Sequence, residues 1–257
     1  MAQSHSDPRS DDAACCSDES CCETSGSAAG ASGCCKGENA GSCCGGSAST
    51  PLTPMTVEEL EALPTLQLIA RYRRGIENFD RRVFELTERD IDMGFLPDAG
   101  VGQWPVRVLV GHCADADLAS VHRMRRAAAE DNPLLSVWDE DAFVERNLYG
   151  NSHEGYADSA EGDRARVMQA LGGHMAVIHT TRQWAGQWLL TLSDADLARE
   201  AMHPQKGAVS IRRMIASSTW HLEHHAKFLT RKLDRMLGPV QPAPARKGGC
   251  SSGCGCG

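Results

Sequence analysis

The sequence predicts an all-α fold, a four-helix bundle with a long crossover between helices 2 and 3 and disordered cysteine-rich tails at both ends. Three observations carry that expectation. Four long stretches repeat apolar residues at spacings of three and four, the period of an α-helix. No stretch alternates apolar and polar residues in the way of a half-buried strand. Residues 1–50 contain no leucine, isoleucine, valine or aromatic residue, so they bury too little apolar surface to offset the entropy of ordering them. Residues 241–257 are similar. The expected organisation is therefore a tail over 1–50, a bundle over 51–240 and a tail over 241–257, with about 190 residues left to build a core.

Thr56 followed by Glu59 has the form of a capping box and opens a short helix that Pro64 ends. A longer helix begins at Thr65, with Leu66, Ile69, Tyr72, Ile76, Phe79 and Val83 as its inner stripe and Arg71, Arg73, Arg74, Glu77 and Arg81 outside; the run decays near Asp92. Leu96–Gln103 carries a proline and two glycines and reads as a loop. Trp104-Pro105 opens the second helix, whose inner face is Val106, Leu109, Val110, Cys113, Ala116 and Met124, and Pro133 stops it. Residues 134–159 form the crossover, with one short helix over Asp139–Asn147. The third helix runs from about Gly162 to Leu192 on a stripe of Val167, Met168, Leu171, Met175, Ile178, Ala185 and Leu189. Ser193 caps a short acidic segment, and Ala201–Ala208, with His203-Pro204 and Gly207, is an extended or turn-like connection. Ser210 caps the fourth helix, Val209–Leu237.

Two charges fall on inner stripes. Asp117 lies near the middle of the second helix's inner face, and Arg182 lies on that of the third. A charge in a core is costly unless paired, so the two are expected to pair, as a support to the site or as substrate contacts.

Net charge is -8, and residues 1–50 supply much of it, with seven acids against Arg9 and Lys36. No basic face is offered to nucleic acid. No apolar run approaches the roughly 20 residues of a membrane helix, and the polar start lacks a signal-peptide core, so a cytoplasmic protein without a membrane partner is expected. Eleven of the twelve cysteines lie in the tails: Cys15, Cys16, Cys21, Cys22, Cys34, Cys35, Cys43 and Cys44 as four adjacent pairs, then Cys250, Cys254 and Cys256. These spacings match no zinc finger, and adjacent cysteines rarely bridge each other. Vicinal thiolates on a flexible chain suit soft ions such as Cu(I), Zn(II) or arsenite, with a compositionally biased tail of no fixed function as the alternative.

The fourth helix carries Trp-His-Leu-Glu-His-His over 220–225. At about 100° per residue, His225 sits roughly 40° from the apolar stripe and His221 just beyond it, while His224 points outward at roughly 140°. Two imidazoles four residues apart on the inner flank can share one metal ion; ordinary hydrogen-bonded core histidines are the competing explanation. His112 lies on a flank, roughly 100° from the centre of its own stripe.

Gln103-Trp104-Pro105-Val106-Arg107 followed by Gly111-His112-Cys113-Ala114-Asp115 resembles the second-helix signature of the DinB-like superfamily. Asp139-Glu140-Asp141-Ala142-Phe143 resembles the crossover of its members, and Ala208–His225 is similar to their final helix. The resemblance covers roughly residues 56–235 and neither tail. Two positions depart from it: Cys113 stands where an aliphatic residue is usual, and Pro105 where Ser or Thr is. What the resemblance implies is a divalent metal held by His112, His221 and His225; imidazole ligands suit Zn or Ni. It further implies a metal-dependent transferase using a low-molecular-weight thiol as cosubstrate, or a hydrolase, acting on a small-molecule substrate. Three neutral imidazoles leave coordination positions open for water or thiolate, as a catalytic site requires. The alternative is a non-catalytic metal-handling or stress protein in which the tails capture soft metals. A homodimer is compatible with either.

Overall fold

The computed structural model describes residues 53–95, 100–150 and 159–240. Both expected tails and all eleven tail cysteines lie outside the described residues. Three long helices dominate: α4 (Val106–Ala129), α6 (Ala160–Leu189) and α8 (Ile211–Leu237). The fourth member of the bundle is assembled from pieces: α1 (Val57–Glu61), α2 (Thr65–Arg73), tight turns of 3-10 helix over Gly75–Asn78 and Arg81–Glu85, and α3 (Glu88–Ile91). The crossover holds α5 (Glu140–Glu145), and α7 (Asp194–Leu197) precedes α8. The all-α four-helix bundle is present as expected.

Local chemistry sets the ends. The capping box at α1 forms, with the Glu59 N–H donating to the Thr56 hydroxyl and the Thr56 N–H to the Glu59 carboxylate. Ser210 caps α8 by accepting from the Arg213 N–H at 3.1 Å. At Gly238, φ is +83°, a left-handed conformation that glycine adopts without strain and that ends α8.

The first long stretch is not one continuous helix. The apolar spacing persists to Val83, but α-helix ends at Arg73. Gly75, just past the break, lets Arg182 and Leu222 approach the backbone: a Cβ there would lie 2.7 Å from both Arg182 Nη1 and Leu222 Cδ2. The Tyr72 carbonyl, which a continuing helix would use, accepts from Arg182 Nη1 at 3.0 Å instead. Two 3-10 turns joined by the extended residues Phe79 and Asp80 still leave Ile76, Phe79 and Val83 packed inward. Leu66 does not belong to that stripe; it is exposed, roughly 110° from the face that Leu68, Ile69 and Tyr72 bury. Met168 is likewise exposed, at the edge of the α6 stripe. Arg71 and Arg73 are half-buried rather than outside. Arg71 forks onto the Glu223 carboxylate at 2.6 and 3.0 Å, and Arg73 donates to the Gln183 side chain.

Between α7 and α8 the extended connection is a two-stranded antiparallel hairpin, β1 (Glu200–His203) with β2 (Gly207–Ser210). Gly207, at φ +77°, makes its turn. Leu135 N–H donates to the Met202 carbonyl and Met202 N–H to that of Pro133, tying the hairpin to the start of the crossover.

The core forms two clusters, one around Leu60, Tyr72, Met124, Leu189 and Ile215 and one around Ile91, Val110, Leu171, Leu222 and Leu229. The Asp117–Arg182 pair lies where they meet. Arg182 donates to Asp117 through Nε at 2.6 Å and Nη2 at 2.7 Å, and to the Ser218 carbonyl at 2.8 Å. Arg182 has no exposed surface, so the fork clamps α4, α6, α8 and the end of α2 together.

Candidate metal centre

Pro105 sets the start of α4 as its N-cap, and its carbonyl accepts from the Leu109 N–H. Two turns in, Gly111 and His112 are both buried. A Cβ at Gly111 would lie within 2.9 Å of three ring atoms of Tyr149, so only glycine lets the end of the crossover pack on α4 here. On α8, His221 and His225 are one turn apart and face α4.

The three imidazoles converge. His112 Nε2 lies 3.0 Å from His221 Nε2, and His225 Nε2 lies 3.1 Å from the same atom. One ligating atom from each ring falls within 4.8 Å of the others. His112 is 1% exposed. Burial pushes its pKa down to about 4, and burial with the nearby His112, His224 and Lys232 charges pushes that of His225 down to about 3. His221 is held well below the ordinary value by burial and then by His225 and His112. Neutral rings carry lone pairs, and a single N–H on His221 Nε2 cannot serve both neighbours. Tetrahedral zinc with bonds of about 2.0–2.1 Å would place its nitrogens about 3.3 Å apart; the His112–His221 and His221–His225 pairs are close to that spacing, and the His112 and His225 rings turn toward each other to complete the set.

Aromatic rings wall the cluster. Trp104 lies against His112 with centroids 4.7 Å apart and stacks on His225 at 6.1 Å. Trp138, from the crossover, stacks on His112 at 5.2 Å. His224 points away and stacks on Trp220 at 4.6 Å. Beside the cluster, a cavity of about 270 Å³ is lined by His225, Trp104, Leu109, Phe228 and Lys232 among others. Lys232 is buried; its Nζ donates to the Val101 and Gly102 carbonyls at 2.5 and 2.9 Å and lies over the Phe95 ring. Burial lowers its pKa to about 8.

The sequence places Trp138 and Tyr149 only in a crossover suited to cover the open end of the bundle, and it gives Glu140 and Lys232 no role at the site. For Lys232 the signal existed: it lies two turns beyond His225 on the same flank of α8. For the crossover residues no period pointed inward.

The DinB superfamily model matches residues 52–229. The chain belongs to the DinB superfamily. A protein of Oceanobacillus iheyensis named "Putative metal-dependent hydrolase OB0782" is 25% identical over 174 residues, 68% of this chain and 81% of its own length. The Bacillus subtilis protein named "Putative metal-dependent hydrolase YfiT" is 28% identical over 141 residues, covering 53% of this chain and 67% of that one. The solved structure of YfiT, described as having an unusual four-helix bundle topology, superposes with a TM-score of 0.53 at 20% identity over 74% of this chain and 94% of that chain. That likeness shows the fold. Among the described residues, no helix is long and apolar enough to cross a membrane.

Proposed function

We propose that this DinB superfamily protein is a metal-dependent hydrolase of small molecules, with one divalent ion, Zn or Ni, held by His112, His221 and His225. The observation that carries the proposal is the convergence of three neutral Nε2 atoms from α4 and α8 on one point. Names of relatives covering two thirds or more of their own length favour hydrolysis over thiol transfer as the reaction. When bound, a divalent cation supplies a Lewis acid and brings a coordinated water's pKa near neutrality. The protein's own part is to fix three ligands and leave the remaining positions open to water and substrate. Trp104 and Trp138 both pack against the His112 ring, and Trp104 with the adjoining cavity offers an apolar wall to a substrate's non-reacting group.

A low-molecular-weight thiol as cosubstrate and metal handling by the tails are the competing functions; the second is favoured by one observation, the eleven tail cysteines. One experiment separates the three. Full-length protein, loaded with zinc or stripped by chelator, is assayed on a panel of small esters and amides, with and without low-molecular-weight thiols. Metal-dependent hydrolysis without added thiol supports the proposal. Turnover only with thiol points to transfer, and a wild type that turns over none of the panel yet binds zinc undiminished by His221→Ala points to metal handling.

A further inference from the structure

We infer that Glu140 is a positioning residue for His112, accepting a hydrogen bond from its Nδ1–H and so aiming Nε2 at the cation site; this rests on the metal reading proposed above. If Nε2 donates a lone pair to a cation, the ring's proton sits on Nδ1, and that N–H needs an acceptor. In the structure His112 Nδ1 is buried with no hydrogen-bond partner. The carboxylate facing it is Glu140, whose Oε2 lies 3.8 Å away. Glu140 enters no other ion pair among the described residues, and half of its side chain is exposed, so a small χ rotation can shorten that gap to a hydrogen bond.

Placement of the backbone supports the role. Asp139 caps α5 by accepting from the Ala142 N–H at 3.1 Å, which fixes Glu140 in the first helical turn. Two residues earlier Trp138 stacks on the same imidazole, so one short segment both covers and addresses His112. Nδ1 and Nε2 lie on opposite sides of the ring; Glu140 therefore acts through His112 and does not itself reach the point shared with His221 and His225. A carboxylate on the far nitrogen also makes the ligating nitrogen more basic.

The test uses full-length wild type, Glu140→Gln and Glu140→Ala, each treated with a thiol-alkylating reagent so that tail cysteines do not compete for metal. Zinc is titrated against a chromogenic chelator, and the His112 ring N–H proton is followed by NMR in the zinc-loaded protein. Glu140→Ala should weaken zinc binding about 10–100-fold, with Glu140→Gln, which keeps an accepting carbonyl, losing less. The exchange-protected N–H signal of wild type should move upfield or vanish in Glu140→Ala, while the melting temperature of metal-free protein stays the same. A Glu140→Ala affinity within about twofold of wild type, or an unchanged N–H signal, overturns the role of Glu140 alone. Wild type that takes up no zinc overturns the metal reading and this inference with it.

Discussion

Replacing Arg182 by Met removes the guanidinium from the centre of the bundle while keeping an unbranched apolar stem. Five hydrogen bonds go with it: two to Asp117, one to the Tyr72 carbonyl, and two to the backbone and hydroxyl of Ser218. Asp117 would be left with the Ser218 hydroxyl at 3.2 Å as its remaining side-chain donor, and it has 2% side-chain exposure. Uncompensated buried charge of this kind costs about 3–5 kcal/mol. For a domain of this size each kcal/mol shifts the midpoint about 2–4 °C, so thermal unfolding followed by circular dichroism should show a fall of about 6–20 °C. Arg182→Lys should recover little of it, because an ammonium cannot reproduce the fork. The double variant Arg182→Met/Asp117→Leu should be less destabilised than the sum of the singles, since it removes both charges. A single-variant shift under about 2 °C, or strict additivity, would refute the clamp.

Gly111→Ala should cost about 1–3 kcal/mol by driving its new methyl into the Tyr149 ring, and Gly111→Ala/Tyr149→Ala should melt higher than Gly111→Ala alone; no such rescue would show that the crossover packs differently. A pH series on metal-free protein tests the buried imidazoles. Their folded pKa values are depressed, to about 4 for His112 and about 3 for His225, so the unfolded chain takes up protons first. Stability should therefore be full above the ordinary histidine value near 6.5 and decline as pH falls from there toward about 4. A melting temperature flat across that window would mean the rings are solvated.

The α8 histidines were legible because that helix buries one clean stripe, and about 100° per residue then separates His221 and His225 from His224. The position of His112 could not be read from the α4 pattern. Residues 106, 107 and 109–114 are all buried, since the crossover and the segment near Asp92 cover what a helical wheel treats as the outer face. A wheel with no empty face gives no direction, and only the family resemblance singled out His112. Arg107 was missed for the same reason; it forks onto Asp92 at 2.6 and 3.0 Å. The break after Arg73 is hidden because the two 3-10 turns and the extended pair Phe79-Asp80 between them happen to keep Ile76, Phe79 and Val83 packed inward at helix-like spacings. Asp117 and Arg182 were readable as a pair because each stood alone on an otherwise apolar stripe.

That three histidines of this chain hold one cation is tested most directly by zinc stoichiometry in full-length protein treated with a thiol-alkylating reagent. Wild type and His224→Ala should each retain one equivalent, because His224 faces Trp220 and not the cluster. His112→Ala, His221→Ala and His225→Ala should each lose it. Absence of zinc, nickel or any other divalent ion from wild type near neutral pH, or loss in His224→Ala equal to that in His221→Ala, would contradict the claim.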